Sequence, residues 1–355
     1  MKNKLYFFDI KQVNFLNSEK CRYNASSKPR YDSEQTLKDL GAIEILLISK
    51  YIESSYYWLK KLKMLANSMS VIMSFLHKWN YIRNNLIIVQ YPFGSNAAAT
   101  YILKRLKAKH NKIILYVHDI ASLRYKKISK KELELFRLSD AYILHSNNMI
   151  EKMKDIGFNK LSVSLEFFDY RSNLYVSPPN NLRNIKMIYA GNLQKSIFLN
   201  SISQIEFNLN YQLYLYGVSS KNIILSEFVQ YKGKFDAEQF DGIEGNWGLV
   251  WDGESIDTCK GCLGEYLKYN APFKMSLYLA AGRPVIVWSQ SAMAEYVRKY
   301  NIGICVDSLH DVPKVINALS DNELELMANS VNQISLQVKS GEKLKTAVQK
   351  ICEFF

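Results

Sequence analysis

Asn270-Ala-Pro-Phe-Lys-Met-Ser-Leu-Tyr-Leu-Ala-Ala-Gly-Arg-Pro-Val-Ile-Val-Trp288 reads as a helix followed at once by a buried strand. Pro272 suits the opening of a helix, because its fixed φ is helical and its missing N–H costs nothing there. Gly282 and Pro284 end the helix, and Pro284–Trp288 runs on without a polar residue, as a strand covered on both faces does. Lys274 falls in the first helical turn. The helix dipole already presents partial positive charge there and disfavours a cation. An anion bound at that N-terminus resolves the conflict, with the lysine and the free N–H groups both aimed at it. A solvated surface lysine is the alternative.

The same alternation extends outward in both directions. In the second half, Ile185–Tyr189, Gln212–Tyr216 and Trp247–Trp251 are further apolar strands, and Ala292–Tyr300 is a further helix beside Lys274–Ala281. In the first half, Leu5–Ile10, Ile43–Ile48, Leu86–Gln90, Ile113–His118 and Ala141–His145 read as strands, with Asn96–Lys109 and Lys130–Leu138 as helices. Asn24-Ala-Ser-Ser-Lys-Pro-Arg30 reads as a polar loop, after which Asp32/Ser33 caps a helix through Leu40 that Gly41 ends. Continuous apolar strands separated by helices predict parallel sheets in an α/β protein. Ser177-Pro-Pro-Asn-Asn181 is a turn-rich join. The expectation is two Rossmann-like, doubly wound domains, 1–175 and 182–341, facing a central cleft. A terminal helix over Glu342–Phe355 packs back on the first.

The net charge is +13, with a pI near 9.2. It is not evenly spread: 29 basic and 15 acidic residues lie in Met1–Tyr175, against 17 and 18 in Val176–Phe355. One half therefore carries the whole excess, which calls for an anionic partner such as nucleic acid, membrane or a phosphorylated ligand. Leu5–Ile10, behind Lys2 and Lys4 and interrupted by Asp9, is too short for a signal-peptide core. No apolar run approaches the roughly 20 residues that span a bilayer. Five cysteines, an odd number without scaffold density, read as reduced thiols of a cytoplasmic protein. No G-x-G-x-x-G, P-loop or nucleic-acid motif is present.

Several residues have the chemistry of a site. Gly191, in Ala190-Gly-Asn192 at the end of a strand, lets backbone N–H groups approach an anion, and Lys195 follows closely; a tight turn alone is the other reading. His118 and Asp119 end the fourth strand of the basic half, where either can take a proton from a hydroxyl. Alternatively Asp119 caps the next helix, while Asp9 competes as the base. Ser27, Lys28 and Arg30 lie in the polar loop and suit an anionic acceptor or plain solvation. Over Tyr56–Trp79, the residues Trp58, Leu62, Leu65, Met69, Ile72, Leu76 and Trp79 form one stripe, with Lys60, Lys63, Asn67, Ser70, Ser74 and Lys78 facing away. That is a core helix or, with lysines beside the tryptophans, a membrane-interface helix. Cys259-Lys-Gly-Cys262 lacks a partner pair for zinc, and Asp252-Gly-Glu254 comes too late in the chain for a D-x-D metal site.

Asn246-Trp-Gly-Leu-Val-Trp-Asp252, Glu265–Ser276 and Ser276–Trp288, together with Gln90-Tyr-Pro, Tyr116–Arg124 and Ala190-Gly-Asn192, resemble bacterial GT-B glycosyltransferases. The resemblance is to the galactofuranosyltransferases of surface-polysaccharide clusters (capsule, O-antigen) and the glucosyltransferases of serine-rich adhesin glycosylation. It is most specific over Lys274–Pro284 and weak at 50–85 and 195–245. It implies a nucleotide-sugar donor held by the second domain: Lys195 and Lys274 at the diphosphate, with Gly191, Asn192, Tyr216 and Asn270 in the same pocket. Lysine at 195, where relatives often carry arginine, keeps the charge without the bidentate fork. The resemblance further implies inverting transfer of a sugar, first of all galactofuranose from UDP-galactofuranose, to a polyprenyl-diphosphate-linked glycan. No cofactor or metal is expected beyond that UDP-sugar co-substrate. The enzyme would sit in the cytoplasm against the inner face of the cell membrane, as a monomer or homo-oligomer. UDP-glucose or another hexose on a glycan or glycoprotein is the second reading. A non-catalytic basic module for nucleic acid or membrane is the third.

Overall fold

In the computed structural model, which describes residues 4–12, 27–49, 59–93, 95–127, 129–177, 179, 181–218 and 222–355, the chain builds two six-stranded sheets. The first comprises β1 (Leu5–Gln12), β2 (Ile43–Ser49), β3 (Leu86–Tyr91), β4 (Lys112–Val117), β5 (Ala141–Leu144) and β6 (Leu161–Ser164), in the order 2-1-3-4-5-6. The second comprises β7 (Ile185–Asn192), β8 (Tyr211–Val218), β9 (Val229–Gly233), β10 (Trp247–Val250), β11 (Val285–Trp288) and β12 (Gly303–Val306), in the order 12-11-10-7-8-9. All neighbouring strands are parallel, and helices cover both faces of each sheet. This is the GT-B architecture. In each sheet the winding reverses once, between β1 and β3 and between β7 and β10. Ligands of open α/β sheets bind outside the strand C-termini at such reversals.

β6, β9 and β12 are strands that the apolar runs do not reveal. All three are sheet edges, partly open to solvent, so their sequences (Leu-Ser-Val-Ser, for instance) mix polar with apolar residues. The first helix is also longer than its sequence suggests. It spans Lys28–Asp39, so Lys28 and Arg30 lie in its first turn and Ser27 at its N-cap. Pro29 opens it, and Asp32 pairs with Lys28 four residues earlier instead of capping. Residues 24–26 of the supposed loop, and Tyr56 to Trp58, lie outside the described residues.

The helix Leu59–Leu76 is rotated from the stripe drawn above. Among its residues with described side chains, Val71 and Phe75 are the buried ones, and Ser74 Oγ, assigned there to solvent, accepts the Ile48 N–H of edge strand β2 at 3.1 Å. Leu62, Leu65, Met69 and Met73 are instead 56–62% exposed. The helix Glu342–Cys352 returns to the first sheet, against β5, β6 and the first helix. Its Leu344, Ala347, Val348 and Ile351 are buried in one core with Phe7, Leu37, Ile114 and Ile143. Gly341, at φ +83°, makes the turn from the helix Asp321–Ser340; a Cβ there would lie 2.5 Å from Thr36 Oγ1. Asp169 caps the new helix, accepting the Lys343 and Leu344 N–H groups at 3.1 and 2.8 Å.

Candidate active site

At the reversal in the second sheet, β7 ends in Gly191 and Asn192, both exposed. The neighbouring Gly217 on β8 has φ +132°, and a Cβ on it would lie 1.8 Å from the Gly191 carbonyl oxygen, so only glycine fits. Across the reversal, β10 leads to Trp251 and Asp252. Between them stands Lys274, whose Nζ donates to Tyr189 Oη (2.9 Å), the Trp251 carbonyl (3.2 Å) and both Asp252 oxygens (3.0 and 3.1 Å). Tyr189 Oη also meets Ser196 Oγ at 2.6 Å, which draws in the turn carrying Asn192 and the exposed Lys195. The anion that balances Lys274 is thus a carboxylate of this chain, and the solvated-lysine reading is excluded.

The helix Phe273–Ala280 has Pro272 at its N-cap and no side-chain cap. Around it, Asn270 Oδ1, Ser276 Oγ, Trp288 Nε1 and Ser291 Oγ are buried without a hydrogen-bond partner. Buried polar atoms are rarely left so; of these, Asn270 Oδ1 lies three residues before the first residue of the uncapped helix. Tyr216 is buried and its hydroxyl accepts the Glu244 N–H at 2.9 Å, so it serves as wall. Asp252 is bound to Lys274, Cys259 is buried while Cys262 is exposed, and no group of three metal-ligating side chains gathers among the described residues.

At the reversal in the first sheet, Asp9, Gln90 and Tyr116 form a polar row on the face that carries Phe7, Ile88 and Ile114 two residues earlier. The first helix lies over it. Arg30 donates to the Gln90 and Pro92 carbonyls (3.3 and 2.6 Å), Ser33 Oγ meets Tyr116 Oη (3.2 Å), and Glu34 accepts from Gln90 Nε2 (3.4 Å); burial and the nearby Asp9 carboxyl push Glu34 up to about 8. His118 Nε2 meets Gln90 Oε1 at 2.7 Å, and its ring stacks on Phe168. Burial, with Arg30 and His145 nearby, holds the His118 imidazole well below its usual pKa, so it is neutral.

Two of the candidate residues are already engaged here. Lys28 does not wait for an acceptor: it is buried, and its ammonium is taken by Asp32 (3.1 Å), the Arg171 carbonyl (3.0 Å) and Glu238 of the second domain (2.9 Å). Asp119 neither caps a helix nor stands free. It accepts from Tyr266 Oη (2.9 Å) and pairs with Arg124 (3.0 Å), while Glu132 caps the helix Ala121–Arg124 through the Ala121 and Ser122 N–H groups. Ser27 is exposed at the N-cap of the first helix.

The two sites are held face to face. His145 accepts the Ala271 N–H on Nδ1 (3.1 Å) and donates from Nε2 to the Val117 carbonyl (2.9 Å), which fixes a neutral tautomer; burial pushes its pKa down to about 4. Phe168, stacked on His118, packs edge-on against Phe273 in the first turn of the Lys274 helix, ring centres 6.1 Å apart. Sequence reasoning missed Glu34, His145, Tyr189, Asp252 and Tyr266 in these roles. Only Asp252 carried a local signal, an acid directly after a buried strand.

Residues 10–167 match the family described as Glucosyltransferase 3-like, N-terminal domain, and residues 187–351 the corresponding C-terminal domain. The chain is 27% identical over 254 residues to the beta-1,6-galactofuranosyltransferase WbbI of Escherichia coli K12, covering 68% of this chain and 72% of that one. It is also 27% identical over 266 residues to Glucosyltransferase 3 of Streptococcus gordonii, covering 72% and 76%. Among solved structures, the catalytic domain of starch synthase IV from Arabidopsis thaliana, bound to ADP and acarbose, superposes with a TM-score of 0.51 at 8% identity, over 98% of this chain and 100% of that one, a likeness of fold. With both halves matched in order and the sheets wound as described, the chain belongs to the Glucosyltransferase 3-like glycosyltransferases and is an enzyme of the GT-B fold.

Proposed function

We propose that the enzyme transfers a hexose from a UDP-sugar to a hydroxyl of a lipid-linked glycan, with inversion and without a metal, and that galactofuranose is the sugar. The observation that carries this reading is the cluster at the second reversal: Lys274 fixed by Asp252 and Tyr189 beside an uncapped helix N-terminus and the unpartnered Asn270 Oδ1. The departing UDP gains negative charge as the glycosidic bond breaks. A pre-positioned ammonium and a row of N–H groups stabilise that charge without reorganisation. Lys195 and Asn192 close the diphosphate site from the β7 turn, and Asn270 Oδ1 accepts a donor hydroxyl. The acceptor enters beside Ser27 and Arg30 at the first reversal, where its hydroxyl loses a proton.

UDP-glucose is the second reading, since a glucosyltransferase and a galactofuranosyltransferase are equally identical to this chain. A donor panel with the purified enzyme, read as transfer and hydrolysis, separates the two. Lys274→Ala is expected to weaken UDP binding at least tenfold in calorimetry while the circular dichroism spectrum is kept; unchanged affinity overturns the donor site. Activity is expected to survive EDTA, and loss that manganese restores overturns the metal-free mechanism.

A further inference from the structure

Residues 266–271 lead into the helix that carries Lys274, and the first domain holds them along their length. At the start, Tyr266 Oη donates to Asp119 (2.9 Å) and accepts the Ile120 N–H (3.0 Å), with the Arg124 guanidinium over its ring at 5.1 Å. The residues after β5 then take up the backbone. Asn148 Nδ2 donates to the Lys268 carbonyl (3.2 Å), Ser146 Oγ donates to the Tyr269 carbonyl (2.6 Å), and His145 Nδ1 accepts the Ala271 N–H (3.1 Å). His145 is buried, and its Nε2 donates to the carbonyl of Val117, the last residue of β4, at 2.9 Å. The imidazole is thus a spacer of fixed length between two backbones, one from each domain. Phe168 braces it, edge-on both to His145 (ring centres 4.9 Å apart) and to Phe273 (6.1 Å). Asn270 sits inside this docked stretch, and its Oδ1 is buried without a partner. Lys274 is held otherwise: Tyr189, Trp251 and Asp252 all belong to the second domain.

We propose that His145 is a positioning residue for sugar transfer: from the first domain it sets the stretch 266–271, and through it the place of the Asn270 side chain for the donor sugar. This rests on the donor reading above, in which Asn270 Oδ1 accepts a donor hydroxyl and Lys274 faces the diphosphate. The division of labour follows from what holds each group. Lys274 keeps its three partners when the first domain lets go, because all three are its own domain's. Asn270 does not, because the residues on either side of it, Tyr269 and Ala271, are fixed by Ser146 and His145. Loss of His145 is therefore felt by the sugar and spared by the UDP moiety. Reaction rate falls steeply when a bound group is displaced by even about 1 Å, so a loosened stretch slows transfer. Glutamine carries both an acceptor and a donor and can stand in for the neutral imidazole, whereas leucine carries neither.

The test compares the wild type with His145→Leu, His145→Gln, Asn148→Ala, Asn270→Ala and the double variant His145→Leu/Asn270→Ala. Steady-state transfer with the donor found in the panel gives kcat and KM, and calorimetry gives UDP affinity. His145→Leu is expected to lose about tenfold or more in kcat/KM for the donor while binding UDP as the wild type does. His145→Gln is expected to recover most of that loss. Asn270→Ala is expected to match His145→Leu, and the double variant to lose little more, because both changes remove the same contact. Asn148 is exposed, so Asn148→Ala keeps the fold and decides the matter where His145→Leu does not fold; it is expected to lower kcat/KM for the donor about threefold at unchanged UDP affinity. Wild-type kcat/KM in His145→Leu or Asn148→Ala, UDP affinity that falls together with transfer, a glutamine no better than leucine, or losses that multiply in the double variant overturn the assignment. UDP binding by Lys274→Ala is read separately, so failure of the donor site and failure of this positioning role remain distinct.

Discussion

Lys28 and His145 show what single residues do here that no local pattern announces. Lys28 stands beside a proline in a polar stretch and reads as exposed, yet its partner Glu238 lies 210 positions away, and only the assembled fold places the two together. Removing one partner of a buried ion pair leaves the other charge uncompensated, so Lys28→Met should cost about 3 kcal/mol, measured by urea denaturation; Asp32→Asn on that background should recover part of it. His145 makes stability depend on pH. Its folded pKa of about 4 lies below the unfolded 6.5, so the neutral, bonded form contributes fully above pH 6.5 and the contribution fades as pH falls toward 4. The expected slope in that window is about 1.4 kcal/mol per pH unit, and His145→Gln should flatten it. Lys274 was legible because its place in a first helical turn is itself a conflict. Its partner Asp252 supplied the resolution from another strand.

At the scale of elements, the central strands declared themselves and the edges did not. A strand buried on both faces must be apolar throughout, whereas β6, β9 and β12 need cover on one side only and so lose the signal. The rotation of the helix Leu59–Leu76 was hidden for a related reason: apolar residues occur around most of its circumference, and the serine that fixes it does so by accepting a backbone N–H from β2. The β7–β8 pair is the element on which the proposed donor site depends. Gly217→Ala combines a left-handed backbone with a clash against the Gly191 carbonyl. It should destabilise the protein by about 2 kcal/mol or more and abolish measurable UDP binding, read by calorimetry and thermal melting. An alanine at Gly191 itself, which has open space around its Cβ, should be mild by comparison.

Over the whole molecule, the sequence charge gains a location. The basic excess belongs to the half with the polar row at its sheet reversal, and the same half exposes Leu62, Leu65, Met69 and Met73 along one helix. No helix among the described residues is long and apolar enough to cross a membrane. An apolar stripe on a domain with an excess of Lys and Arg suits the surface of anionic lipid, where each nearby basic residue contributes about 1 kcal/mol. Leu65→Glu with Met69→Glu is expected to reduce binding to phosphatidylglycerol vesicles at least tenfold while leaving donor hydrolysis unchanged; equal binding by the double variant places the contact elsewhere. The return of the helix Glu342–Cys352 to the first sheet has a consequence for biosynthesis. The ribosome finishes the strands of the first domain, then the entire second domain, and only afterwards the helix that closes the first domain's core. Until then Phe7, Ile114 and Ile143 lack part of their cover. The nascent first domain therefore waits, half-lidded, for the second to be made, and any variant that slows the second domain lengthens the exposure of the first to aggregation.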